Sequence, residues 1–139
     1  MQEKRTILVW DLSVRVFHWS LVAMIVLAFA TSEAKGFLFK LHLAAGYAVI
    51  GLVVFRLAWG IVGTRHARFA SFVQAWPAVR RHALDVLGLK PARFIGHNPL
   101  GGWMIVALLA TIGLLAATGL FAGDEGNSGP YAALAGPWL

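Results

Sequence analysis

The chain has 139 residues, of which 59% are hydrophobic and 13% charged, with a formal net charge of +6. A soluble domain carries about 25% charged residues, so this composition excludes an ordinary soluble fold and points to a membrane protein. Cysteine is absent, which excludes disulfides, thiolate-held haem, iron–sulfur ligation and covalent c-type haem attachment.

A basic start (Lys4, Arg5) leads to Asp11-Leu12-Ser13, which reads as a helix cap, and then to a long apolar run. The run resembles a signal peptide superficially. However, it opens with Phe17-His18-Trp19 and is followed at once by further apolar segments, so it reads as a retained span. The first helix is expected at about 13–31, near the roughly 20 residues a span needs. A short polar turn containing Glu33, Lys35 and Gly36 then forces an antiparallel return. The second helix is expected at about 39–62 and closes at Gly63-Thr64.

Residues 64–98 are basic, with interleaved apolar side chains. The stretch 77–89 is amphipathic and is expected to lie along the membrane surface. A third helix is expected at about 99–121, started by Asn98-Pro99 and carrying Gly101, Gly102, Gly113 and Gly119 for close packing. The remainder reads as an acidic loop around Asp124 and the beginning of a further segment. The expected architecture is therefore all-α. Its three transmembrane helices form one membrane domain over 1–139, with an amphipathic surface segment between the second and third.

Nine of the twelve Lys and Arg residues lie in the N-terminal flank and the 64–98 segment. The positive-inside rule then puts the N-terminus and that segment on the cytoplasmic side of the membrane. Trp10, Trp19, Trp59, Trp76 and Trp103 fall near the same interface. The clustered charge serves topology, and no nucleic-acid partner is expected.

Histidine and arginine inside a span cost free energy, so each needs a job or a partner. His18 lies near the cytoplasmic end of the first helix and His42 near the opposite end of the second. At about 1.5 Å rise per residue, two such positions are nearly 20 Å apart in depth. If both are ligands, they serve two sites stacked across the bilayer, and neutral imidazole is a common axial ligand for b-type haem. Gly46, one turn after His42, either leaves room for a flat macrocycle or packs a neighbouring helix. Arg56 looks inward at the depth of His18. It either pairs with haem propionates or is a purely structural arginine that snorkels or bonds backbone carbonyls. Arg15, one turn before His18, is a second propionate candidate and equally a topology anchor. His66, His82 and His97 are expected to meet solvent or lipid headgroups. No paired carboxylates, nucleophile triad or phosphate loop marks an enzyme with its own substrate chemistry.

Several motifs in order carry a resemblance. Val9-Trp10-Asp11 through Val14-Arg15-Val16-Phe17-His18-Trp19 resembles the first helix of bacterial cytochrome b561-like proteins, which group with the b-type cytochrome subunits of nickel–iron hydrogenases. His42 with Gly46, the run Phe55-Arg56-Leu57-Ala58-Trp59-Gly60, and His97-Asn98-Pro99-Leu100-Gly101 resemble their second helix and the start of their third. The resemblance implies a four-helix antiparallel bundle with two b haems. It would carry electrons between a membrane quinone pool and a redox protein such as a c-type cytochrome or another subunit, in a homo- or hetero-oligomer. It also implies His18 and His42 as iron ligands, one from each of the first two helices. The family's fourth helix supplies the opposite ligands, and by this comparison the chain is expected to be C-terminally incomplete. The competing expectation is a non-redox membrane anchor or an assembly or transport subunit, in which the histidines are incidental.

Overall fold

The computed structural model describes residues 11–89, 94, 97–123 and 128–135. The basic flank before Asp11 and the acidic stretch at Asp124 lie outside them. Among the described residues six helices follow in order: α1 (Leu12–Ala30), α2 (Phe37–Val62), α3 (Phe69–Phe72), α4 (Trp76–Leu87), α5 (Pro99–Gly119) and α6 (Ala132–Ala135). α1, α2 and α5 are each long and apolar enough to cross a membrane. Their bounds fall within two residues of those expected from the sequence. The short α3 and α6 were not anticipated.

Local chemistry sets the helix ends. The Asp11 carboxylate accepts from the Val14 amide at 2.7 Å and caps α1. Such a cap is worth about 1 kcal/mol. At the other end, the Thr31 hydroxyl donates to the Leu27 carbonyl at 2.7 Å, and the cap amide also folds back onto the last turn. Gly36 then takes φ +65°, a left-handed conformation that permits the reversal into α2. α5 starts with Asn98, whose side chain accepts from the Gly101 amide at 2.7 Å, followed by Pro99 in the first turn.

α2 is the central element. It packs against α1 on one side and α5 on the other, whereas α1 and α5 do not pack together. The core runs through it: Phe17 and Leu21 of α1, Val49 and Val53 of α2, and Leu109 of α5, with Met24, Ile105 and Ile112 alongside. These positions recur every three or four residues, one stripe per helix. Most of the remaining apolar surface faces outward. Of the apolar stretches, only 11% of α1, 17% of α2 and 11% of α5 is buried within the chain. Water would penalise that exposure heavily, whereas lipid tails are as apolar as the side chains themselves. The three-helix array is thus built for a bilayer. α4 lies against α5 and buries Val79 and His82.

Candidate functional site

His42 occupies the second turn of α2, opposite the last turn of α1. Its Nδ1 lies 2.8 Å from the Ala28 carbonyl oxygen. A carbonyl can only accept, so Nδ1 must carry the proton and donate it. In the neutral ring this leaves the Nε2 lone pair as the available ligand atom. A backbone carbonyl holding one ring nitrogen while the other faces a metal is the usual support for a histidine ligand. The Phe39 ring lies nearly parallel to the imidazole, with centroids 6.0 Å apart and planes 8° from parallel. One turn further, Gly46 borders open space: a Cβ built there meets no atom within 4 Å. A ligand nitrogen of fixed tautomer beside an unfilled cradle fits an axially held b haem.

His18 is exposed on the outer side of α1, while Phe17 and Leu21 turn inward. Its ring meets Trp19 edge-on at 5.5 Å. Arg15 is exposed one turn earlier. The His42 contact with Ala28 fixes the relative depth of the two histidines. At about 1.5 Å per residue, the stretch from His18 to Ala28 separates them by about 15 Å along α1. The structure therefore does not bring His18 and His42 together, and it leaves Arg15 and His18 both exposed, one turn apart on α1.

Arg56 lies at the depth of His18, because Phe55 beside it faces Phe17 at 6.4 Å. Its guanidinium, however, turns toward the connection after α2. Nη2 donates to the Ala67 carbonyl at 3.1 Å, and the cation sits 4.7 Å above the Phe69 ring and 5.9 Å from that of Phe72. The side chain is 4% exposed, and Nη1 is buried with no hydrogen-bond partner. No contact joins Arg56 to His18 among the described residues.

Asp11 closes this end of the pair of helices. Besides capping α1, its carboxylate accepts from Trp59 Nε1 at 3.1 Å and from the Thr64 hydroxyl at 2.6 Å. Burial tends to raise its pKa. The hydrogen bonds from Thr64, Val14 and Trp59, together with the Arg56 charge, outweigh that and hold it below the ordinary value. The sequence marked Asp11 only as a cap, and its two partners on α2 and beyond were not anticipated.

The other histidines divide. His66 is exposed, as expected. His82 is not: it is 4% exposed, and neither ring nitrogen has a partner. The cause is the rotational setting of α4, which turns Val79 and His82 toward α5. The Phe94 ring stands edge-on to it at 4.9 Å. His97 is half-buried beside Phe72, with centroids 5.4 Å apart. Burial, and then the Arg56 charge, lower its pKa, so it stays neutral further into acid than a free histidine. Among the described residues, no three His, Cys, Asp or Glu side chains converge on a metal position.

A family model described as prokaryotic cytochrome b561 matches residues 9–138. The chain belongs to that family. Three curated relatives are named probable nickel–iron hydrogenase B-type cytochrome subunits. The protein from Rhizobium leguminosarum bv. viciae is 28% identical over 89% of this chain and 62% of its own length. That from Azotobacter vinelandii is 28% identical over 73% of the chain and 52% of its own length. That from Bradyrhizobium diazoefficiens is 26% identical over 88% of the chain and 60% of its own length. The chain thus spans roughly half to three-fifths of the length of these relatives. No solved structure matches it. Family membership and three spanning helices make this cytochrome b561 member a multi-pass bacterial membrane protein.

Proposed function

We propose that the chain is the haem-carrying part of a transmembrane b-type cytochrome that passes electrons between a membrane quinone pool and a redox protein partner. Two haem sites, one through His18 and one through His42, lie at different depths. Haem b, when bound, supplies a one-electron iron couple. The protein's task is to hold two such groups in line and keep water from them.

The observation that carries this reading is the His42 bond to the Ala28 carbonyl. It holds the ring on the proton-bearing Nδ1 and leaves Nε2 as a ligand atom, while Gly46 leaves the adjoining space unfilled. Because the accepting carbonyl belongs to α1, the bond also sets the depth of His42 relative to His18. A separation of about 15 Å supports two sites rather than one shared iron. At the other level, Arg15 shares the exposed surface with His18 and would pair with a propionate there. Arg56 is committed first to the Ala67 carbonyl and to Phe69, and its unpartnered Nη1 supports a second role toward an anionic group at that level. The basic flank and the 64–98 segment favour the cytoplasmic side for the N-terminus.

The test is a reduced-minus-oxidised spectrum of the protein purified from haem-replete membranes. His42→Ala should remove one b-haem component and leave the other, and His18→Ala should do the converse. An unchanged two-component spectrum in both variants would sink the assignment.

A further inference from the structure

α4 has a second face that the haem reading does not use. Val79 and His82 are packed inward. Trp76, Pro77, Arg80, Arg81 and Leu84 project on the other side and line a cavity of about 450 Å³. Among the described residues, no carboxylate lines it. Asp85, one turn after Arg81, makes no ion pair with either arginine, and neither guanidinium has another partner among the described residues. Two adjacent cations therefore share one opening without compensation, next to an indole that is 70% exposed and a leucine that is 58% exposed.

The depth of this opening is fixed as well. Trp103, in the second turn of α5, donates its Nε1 proton to the Gln74 carbonyl at 2.9 Å. Gln74 lies two residues before α4, just ahead of its N-cap Ala75, so the helix begins close to the level of the end of a spanning helix. That is where a bilayer presents its phosphates and glycerols. The floor and walls match those layers. Trp76 and Leu84 suit the upper acyl chain, and the guanidiniums suit a phosphodiester, which they bind bidentately.

We propose that this cleft is a headgroup site for an anionic phospholipid, which pins α4 to the membrane surface beside α5. The inference does not depend on haem. An acidic protein partner would also be drawn to two arginines, but it would not need an opening at bilayer depth lined by an exposed indole and leucine.

The experiment uses the chain purified into nanodiscs of phosphatidylcholine containing phosphatidylglycerol, with retained lipid counted by native mass spectrometry. Each arginine near an anionic surface is worth about fivefold in binding, and the pair roughly thirtyfold at low salt. R80Q/R81Q should therefore abolish most of the enrichment of phosphatidylglycerol over phosphatidylcholine. R65Q/R68Q, which removes the same charge from two other exposed positions, should leave it. Where the double variant does not fold, R80Q and R81Q singly should each lower enrichment about fivefold. Four outcomes would overturn the site. The first is no enrichment in the unaltered protein. The second is equal loss in R65Q/R68Q, meaning only diffuse charge. The third is displacement of the lipid by equimolar inorganic phosphate, meaning a soluble anion. The fourth is an unchanged lipid count while R80Q/R81Q loses binding to an acidic partner subunit.

Discussion

The two ends of the α1–α2 pair solve the same problem in opposite ways. Each has a polar side chain that a bilayer tolerates poorly. At the Asp11 end the chain answers with its own atoms: Trp59 and Thr64 donate to the carboxylate, and Ala67, Phe69 and Phe72 enclose the Arg56 guanidinium. Glycines there are filled against. A Cβ at Gly60 would run into the Phe69 ring, and one at Gly102 into the Phe72 carbonyl oxygen. At the His42 end only half the ring is answered. Nδ1 has Ala28, Nε2 is left as a ligand atom, and Gly46 faces open space. At the first end the chain answers all but Arg56 Nη1 with its own atoms, whereas at the second it leaves a ring nitrogen and the space beside Gly46 open.

The largest expected effect comes from pushing on the closed end. Gly102→Ala puts a methyl group against backbone that no rotamer change can move, so α5 must shift away from α3. The expected loss is about 3 kcal/mol, the upper part of the range for overpacking. Thermal unfolding in detergent measures it. If stability is unchanged, the two helices do not approach as closely as described.

Asp11→Ala comes next. It removes the α1 cap, worth about 1 kcal/mol, and leaves Trp59 and Thr64 without their acceptor, for a total of about 2 kcal/mol. The pH dependence has a definite sign. The folded carboxyl titrates below its ordinary value of 3.8. Its stabilisation is therefore fully present above that value and is lost as pH falls through the lower, folded one. Acid titration of unfolding should show this loss in the unaltered protein and not in Asp11→Asn. Parallel curves would mean that the carboxylate does not hold the helices together.

The contrast between the ends also explains what the sequence could reveal. The three spans were legible because each is a predominantly apolar stretch of about the required length, and the Asp11 and Asn98 caps sit in their usual places. His42 stood out because imidazole in a span is costly. Its bond to Ala28 did not, because it depends on how the turn at Gly36 sets one helix against the other. The Asp11 clasp joins residues 48 and 53 positions apart, which no local pattern encodes. Arg56 was legible as inward-facing, but its aromatic enclosure was not, since α3 is a single turn whose place is set by packing. His82 was misjudged for a related reason. A short amphipathic helix declares two faces, and which one lies against α5 is decided by tertiary contact.

The smallest effect on the fold is the most informative about the open end. Gly46 lies in the interior of α2, where glycine is about 1 kcal/mol less favourable than alanine. Nothing lies within 4 Å of the added methyl group, so Gly46→Ala has no clash to offset that gain. Haem-free protein carrying it should be as stable as the unaltered chain, or slightly more so. A macrocycle seated against the backbone beside His42 would meet that methyl group directly. Haem occupancy at the His42 site should then fall while the His18 component stays, read from the same difference spectrum. If occupancy holds, Gly46 is merely a gap between helices and the cofactor lies on another face of His42. If apo stability falls instead, another helix packs on Gly46, and the two ends are alike after all.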